Sequence, residues 1–192
     1  MRGFKDAFPS AAGFAHSTKE GGGGAVNANI EVIKNVRLLS NNFFSAGGGR
    51  YVFGQAPDVI VKPDGSISLI KAFSTVQGIE ATIQKNTVLY GYYGGVVSKK
   101  NFVVDTSDPL LANVGYGFPT APTTQNRAIQ EATFGLTQTL WKDPTYGALK
   151  FMVQYSYLTR SPWAIVPGTP KNANTNMLFL NLRYMLPGEA PK

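Results

Sequence analysis

The feature that most constrains this chain is a period-two alternation of apolar and polar residues, which recurs from about residue 26 onward. Each alternating segment spans roughly nine to thirteen residues, as expected for a β-strand whose two faces meet different surroundings. In the clearest segment Leu149, Phe151, Val153, Tyr155 and Tyr157 alternate with Lys150, Met152, Gln154 and Ser156. No comparable helical period is present, so the sequence predicts an all-β protein.

Turn residues separate the alternating segments and predict antiparallel hairpins. The turns lie at Lys34-Asn35, at Lys85-Asn86 and at Asp143-Pro144, which is followed by Gly147. Seven strands are predicted in this way, near residues 26–34, 36–46, 74–84, 87–97, 128–141, 147–160 and 174–186. Residues 1–25 are small and polar and end in a run of glycines, so we expect a flexible loop or a truncated start there.

Long and short connections alternate between the predicted strands. The stretches near 47–73, 98–127 and 161–173 are long and rich in Gly, Pro, Asn and Asp. Antiparallel pairing places these stretches at one end of the sheet, an arrangement that compact soluble domains rarely need and that outer-membrane barrels show routinely. The stretch near 47–73 contains the hairpin signal Asp64-Gly65. It is expected either to fold inward and narrow a channel or to form an extracellular flap, and the sequence supports both equally.

The two faces of the predicted strands differ in the way that lipid and water require. A closed sheet satisfies every backbone polar group in a bilayer, so its outer face must be apolar while its inner face is free to be polar. The polar face supplies the candidate pore-lining residues, which are Glu80, Thr82, Glu131, Thr133, Lys150, Gln154 and Arg183. In the strand near 87–97 the apolar face is assigned to Val88, Tyr90, Tyr92 and Val96. The aromatic residues expected at the membrane interfaces are Tyr90, Tyr92, Trp141, Tyr155, Tyr157, Trp163 and Tyr184.

Composition argues against several functional classes. The chain of 192 residues has no Cys and a single His, His16, so thiolate chemistry, a His-based triad and a multi-histidine metal site are not expected. Glu80 and Glu131 would suit glycoside hydrolysis only at a short separation, which nothing in the sequence fixes. We therefore expect no enzyme, no cofactor and no metal. Lys and Arg are spread singly and the aromatic residues share their face with Leu and Val, so no nucleic-acid partner is expected.

The number of strands and the start of the chain together predict part of a larger barrel. Seven strands are one short of the smallest bacterial barrel, and single-chain bacterial barrels have even strand numbers. The start MRGFKDAFPSAAGFAH lacks the unbroken apolar core of a secretory signal. The expectation is the carboxy-terminal portion of an antiparallel up-and-down transmembrane β-barrel over residues 26–187, with a tail at 188–192.

Four stretches of the sequence form a recognisable set: FFSAGGGRYVFGQAPD, GIEATIQKNTVLYGYYGG, EATFGLTQTLWKDPTYGALKFMVQYSYLTRSPW and NMLFLNLRYMLP. As a set they resemble the carboxy-terminal part of bacterial outer-membrane porin-like proteins. The resemblance implies a water-filled channel in the outer membrane of a Gram-negative bacterium, surrounded by outer-membrane lipid and often assembled as a homotrimer. It also implies passive diffusion of small hydrophilic solutes. The chain departs from the family at its end, where Tyr184 is followed by MLPGEAPK instead of a terminal aromatic residue.

A soluble β-sandwich or small closed barrel that binds a carbohydrate or a lipid is the alternative, because it also needs many alternating strands. Its apolar face would be buried and its polar face would meet bulk water, the inverse of a membrane barrel. Two roles also stay open for Glu80, Glu131, Lys150 and Arg183. They are expected either to form a charged wall that selects among solutes or to balance one another as ordinary interior residues.

Overall fold

Antiparallel strands form most of the protein, and the computed structural model describes residues 1–10, 13–52 and 56–188. The strands within these ranges are β1 (Arg2–Ser10), β2 (Gly13–Ile33), β3 (Val36–Ala46), β4 (Val59–Val61), β5 (Ile67–Leu69), β6 (Lys71–Gln84), β7 (Thr87–Ser98), β8 (Asn101–Val104), β9 (Asn113–Tyr116), β10 (Asn126–Asp143), β11 (Gly147–Pro162) and β12 (Ala173–Met185). A single turn of 3-10 helix lies at Gly49–Tyr51. No helix in the described ranges is long and apolar enough to cross a membrane.

Eight strands form one sheet in the order β1-β2-β3-β6-β7-β10-β11-β12, and two separate hairpins are formed by β4 with β5 and by β8 with β9. Every neighbouring pair in the large sheet is antiparallel. The predicted all-β antiparallel class is therefore confirmed. A closed barrel is not observed, because among the described residues no pairing joins β1 to β12.

All seven predicted strands are present, and six of them begin and end within three residues of the prediction. The loop predicted for residues 1–25 is wrong, because this segment forms β1 and the first half of β2. In β1 the half-buried Phe4 and Phe8 alternate with the exposed Gly3 and Ala7. This is the same period of two, with fewer large apolar side chains than in the later strands. Of the predicted tail, residues 189–192 lie outside the described residues.

The glycines of β2 allow an extended strand that neighbouring backbone approaches closely. A Cβ atom added to Gly21 would lie 2.6 Å from the carbonyl oxygen of Ala46, and one added to Gly23 would lie 2.6 Å from that of Phe44. Any side chain at these positions would push β3 away, so glycine serves close packing here. The glycine run therefore indicates tight strand contact, where its composition alone indicates a loop.

The strand β2 is shared between two partners. Its first half, residues 13–21, pairs with β1, whereas residues 22–33 pair with β3. The β1–β2 hairpin therefore extends beyond the rest of the sheet, at the end where the long connections lie. From Gly22 to its end at the short turn, the outer edge of β2 has no partner strand in the described part of the chain. The outer edge of β12 has none either.

The register defines the two faces of the sheet, and one strand differs from the prediction. Across β7, Tyr90 lies opposite Glu80 and Tyr92 lies opposite Thr133, so both tyrosines belong to the polar face. Val88 and Val96 share this face, and the assignment of these four residues to the apolar face is wrong. The residues of β7 that face the apolar side are Thr87, Leu89, Gly91, Tyr93, Gly95 and Val97. Because the strand is apolar at both parities, its sequence does not reveal which set meets the polar neighbours.

The long connection 47–70 folds over the polar face at one end of the sheet. Val52 is fully buried against Phe43, Ala72 and Val96, all of which the register places on the polar face. A second small core joins the two hairpins through Ala56, Ile60, Ile70 and Tyr116, with Trp163 packed against it. Trp163 therefore belongs to this loop core, and its predicted place at a membrane interface is wrong. The connection therefore lies against the polar face, while the narrowing of a channel and the extracellular flap both stay predictions.

We call residues 47–52 and 56–70 the loop cap. Polar contacts fix the loop cap to the amino-terminal hairpin formed by β1 and β2. The Asp58 carboxylate pairs with Arg50 at 2.6 Å and with Arg2 of β1 at 3.4 Å. Phe8 of β1 lies over Gly65, and the Ser17 hydroxyl of β2 accepts a hydrogen bond from the Ile67 amide at 3.1 Å. Burial raises the pKa of Tyr116, whose hydroxyl donates to the Asn126 carbonyl at 2.7 Å.

We expect Asp58→Asn to loosen the cap, because the nearly buried carboxylate holds two guanidinium groups and accepts the Arg50 amide. Loss of these charge-assisted contacts is expected to cost about 1.5–3 kcal/mol locally. Hydrogen exchange should then accelerate over residues 56–70 and spare the strands of the sheet. Asp105→Asn is the matched control, since that carboxylate is bonded to Ser107 within its own turn. Equal exchange in both variants would contradict the role given to Asp58.

Candidate functional site

The polar face of the large sheet carries the densest set of interacting polar side chains. All seven residues predicted to line a pore lie on this face by register. Glu80 lies opposite Tyr90, Tyr90 opposite Gly135, and Gly135 opposite Gln154. The same ladders place Thr82, Glu131, Thr133, Lys150 and Arg183 on this side. The alternation in the sequence therefore predicted which of these seven residues share a face.

A chain of hydrogen bonds crosses the middle of this face from β7 to β11 and back to β10. The Tyr90 hydroxyl donates to Gln154 Oε1 at 3.2 Å, and Gln154 Nε2 donates to the Ser156 hydroxyl at 3.2 Å. Ser156 shares a hydrogen bond of 2.9 Å with Thr133, which donates to Glu131 Oε1 at 3.1 Å. Thr133 and Ser156 are buried, whereas Tyr90, Gln154 and Glu131 in the same chain of hydrogen bonds are half-buried. These hydroxyl and amide groups satisfy one another and hold the face in one arrangement.

Two tyrosines lie flat along this face because glycine stands opposite each of them. The Tyr90 ring covers Gly135, where a Cβ atom would come within 2.2 Å of the ring. The Tyr92 ring covers Gly78 in the same way, at 2.4 Å. Tyr90 thereby crosses β10 to reach Gln154 on β11, whereas Tyr92 turns toward β6 and donates to the Glu80 carboxylate. Large aromatic rings laid over facing glycines also pin the strand register.

Apart from Glu131 in the central hydrogen-bond chain, charged residues cluster in two separate regions of the polar face. Glu31, Arg37 and Glu80 are direct neighbours across β2, β3 and β6. On the opposite flank of the same face, on β11 and β12, Lys150 lies directly opposite Arg183. The two border a basic region near the short turns that also includes Lys85 and Lys142. Neither Lys150 nor Arg183 forms an ion pair in the described part of the chain. The face therefore offers hydrogen-bonding groups at its centre, mixed charge on one side and excess positive charge on the other.

The two glutamates considered for acid–base chemistry are not brought together. Glu80 lies opposite Tyr90 and Glu131 opposite Gly94, on the strands that flank β7. Two strand spacings and four residues along the strand place their Cα atoms about 16 Å apart. Paired carboxyl groups in glycoside hydrolysis are at most about 9.5 Å apart, a separation that these Cα positions allow only if both side chains extend toward each other. Glu80 is also bonded to Tyr92 and Glu131 to Thr133, so the arrangement does not support this chemistry.

Sequence reasoning assigned Tyr90 and Tyr92 to the wrong face and did not single out Arg37. It placed Ser156 on the correct face but did not include it among the candidate pore-lining residues. A signal was available for the tyrosines, since a strand with Tyr at every second position next to strands with isolated glycines suits ring-over-glycine packing. For metals, the described ranges contain no group of three His, Asp or Glu side chains close enough to hold an ion. Comparison of the chain with known protein families, with curated proteins and with solved structures gives no match.

We expect Gly135→Ala to displace the Tyr90 ring and break its hydrogen bond to Gln154, because the new methyl group would occupy the position of the ring. The Tyr90 side chain is able to rotate away from the new methyl group, so the cost in unfolding free energy should be only about 1 kcal/mol, that of the lost hydrogen bond. Gly94→Ala is the control on the same face, with its nearest neighbour at 3.6 Å from the added Cβ atom. Urea unfolding of the two variants measures the difference. Equal stability of the Gly135→Ala and Gly94→Ala variants would show that packing of the Tyr90 ring over Gly135 does not stabilise the fold.

Proposed function

We propose that the sheet is part of the wall of a porin-like β-barrel in the outer membrane of a Gram-negative bacterium. In this proposal the protein lets small hydrophilic solutes diffuse passively through a water-filled lumen. The main support for the proposal is that the apolar face is the exposed one. Phe134, Leu178, Leu180 and Leu182 on this face are 63–67% exposed. On the polar face Thr133 and Ser156 are 8% and 0% exposed. A soluble sheet protein has the opposite arrangement, with apolar side chains inside.

The apolar face also has the layout of a membrane-spanning band. Trp141 and Tyr184 mark its end near the short turns, and Tyr155 and Tyr157 mark the other end of the same strands. From Leu149, which is level with Tyr184, to Tyr157 is about 27 Å along the strand. A strand tilt of 35–45° reduces this length to about 20 Å, close to the apolar band of roughly 25 Å on outer-membrane barrels. These dimensions support the proposed orientation in a bilayer.

Permeation in this proposal needs no reacting group. The hydroxyl and amide groups along Tyr90, Gln154, Thr133 and Ser156 would border water, and the charged regions around Arg37 and Lys150 would bias which solutes enter. The cap formed by residues 47–52 and 56–70 lies over one end of this face, so it would narrow the entrance. The seven predicted pore-lining residues enter the proposal as parts of a wall.

The edges of the sheet set a requirement for the proposal. Within the described residues, the outer sides of residues 22–33 of β2 and of the whole of β12 have no partner strand, and hydrocarbon does not tolerate unpaired backbone groups. Further strands must therefore complete the barrel in the membrane. Because β2 and β12 both run toward the short-turn end, an antiparallel closure needs an odd number of additional strands between them.

One polar patch interrupts the apolar face and suits a homotrimer contact. Asn42 Oδ1 accepts hydrogen bonds from Thr75 at 2.9 Å and from Gln77 at 3.1 Å, and Asn42 donates to Ser40 at 2.9 Å. Polar side chains at membrane depth are costly in lipid and are best covered by protein. The proposal places this patch between subunits, in line with the homotrimer that the resemblance implies.

Neighbouring residues on one strand test the direction of the two faces. We expect Leu180→Arg to lower the free energy of unfolding in phospholipid vesicles by about 2–4 kcal/mol, because it places a charge near the centre of the apolar band. Asn181→Arg adds the same side chain to the opposite face and should cost less than about 1 kcal/mol. Urea unfolding of the refolded full chain gives both values. A similar cost for the two variants would contradict the proposed faces.

Conductance tests the channel itself. The barrel that this chain forms together with the strands that complete it, refolded in detergent and added to a planar bilayer, should give discrete conductance steps and should let small sugars enter vesicles. Protein that stays monodisperse without detergent and gives no conductance would contradict the proposal and favour the soluble carbohydrate- or lipid-binding sandwich.

A further inference from the structure

A groove of about 510 Å³ lies on the apolar face near the long connections. Its floor is formed by Phe44 and Phe73, whose ring centroids are 4.7 Å apart, together with Val97. Gly22 and Gly24 leave one side of the groove open, because nothing lies within 4 Å of a Cβ atom added at either position. The groove is thus apolar at its base and wide enough for a chain-like ligand.

Two lysines stand directly above this floor. Ala72 pairs with Ser98, and the Lys99 amide donates to the Lys71 carbonyl at 2.8 Å, so Lys71 and Lys99 face each other on neighbouring strands. Both belong to the apolar face, both are exposed and both line the groove. Like charges directly opposite each other on a sheet are destabilising. An anion between the two ammonium groups would relieve this repulsion.

Protein carboxylates do not supply that anion in the described part of the chain, where both ion pairs involve Asp58. Glu20 lies on the same face of β2, but the register places its Cα atom about 12 Å from that of Lys71. The pair is therefore positive and open to a ligand from outside the chain.

The height of the groove matches the boundary between hydrocarbon and headgroups. Counted from the short-turn ends of their strands, Phe44 and Phe73 are eight and eleven residues away, Tyr155 and Tyr157 are eight and ten, and Lys71 is thirteen. The aromatic floor is thus level with the tyrosines that mark the upper end of the apolar band, and the lysines lie just beyond it. Below the groove the apolar side of β2 continues as Val26, Ala28 and Ile30, a path that passes beside the Asn42 patch.

We infer that this groove binds an anionic lipid whose phosphate is not offset by a cationic headgroup, with the acyl chain on Phe44 and Phe73 and the phosphate between Lys71 and Lys99. The inference rests on the proposed function, because only a chain embedded in a bilayer presents this face to lipid. Charge complementarity selects the ligand: a neutral lipid would leave the lysine repulsion in place, and a free phosphate ion would leave the aromatic floor bare.

The test is a lipid titration of the full chain in detergent, read by native mass spectrometry, with dioleoyl phosphatidic acid against dioleoyl phosphatidylcholine. Wild type should retain phosphatidic acid preferentially. The double variant Lys71→Gln/Lys99→Gln should weaken that binding about thirtyfold, from two lysine contacts near a membrane surface. Lys100→Gln/Lys171→Gln removes the same charge from the same end of the molecule outside the groove and should have no effect.

A second variant keeps both charges and fills the groove. Gly24→Phe projects into open space beside Phe44, so it should fold and should still lower retention of phosphatidic acid. Equal loss of binding in the groove and control variants, unchanged binding in Gly24→Phe, or displacement of the lipid by millimolar inorganic phosphate would each overturn the lipid site. Conductance of the same preparations separates the two proposals: channels without lipid preference refute only the groove, and lipid preference without channels refutes only the pore.

Discussion

The register of the backbone hydrogen bonds is the constraint on which the rest of this structure depends. Because each ladder pairs one residue of a strand with one of its neighbour, it decides at once which side chains share a face. Gln154, Thr133 and Tyr90 meet on one face only because β7, β10 and β11 hold this alignment. A shift of one residue in a single ladder would move Phe134 or Leu180 to the polar side and break the hydrogen-bond chain.

The two faces then have different energetic roles. Polar side chains on one face satisfy one another, while the apolar face has no second layer of protein over it in the described part of the chain. The small apolar cores lie in the loop cap, around Val52 and Ile70, and do not support the sheet from its apolar side. A sheet built in this way gains little from burial within its own chain. In the proposed function, lipid on the apolar face and water on the polar face would supply the surroundings that its side chains match.

Much of the fold was predictable because strand periodicity is local. The alternation from Leu149 to Tyr157 and the turn at Asp143-Pro144 are properties of neighbouring residues, so the β10–β11 hairpin and its faces follow from the sequence. The faces of β7 were not predictable, since Val88 and Leu89 are both apolar and the choice depends on partners distant in the chain. The strands in residues 1–25 were missed because glycine composition gives no sign of the close contact with β3. The inward fold of the cap depends on Asp58 and Val52 meeting distant residues, which no local pattern encodes.

The measurement that most directly tests the central claim uses the absence of cysteine from the chain. Leu136→Cys and Thr137→Cys place single thiols on opposite faces of β10, at the centre of the sheet. In phospholipid vesicles a membrane-impermeant maleimide should label the thiol at 137 rapidly and the one at 136 at least tenfold more slowly, because only the polar face meets water in the proposed function. Equal labelling of both thiols, or faster labelling at 136, would contradict the assignment of the apolar face to lipid.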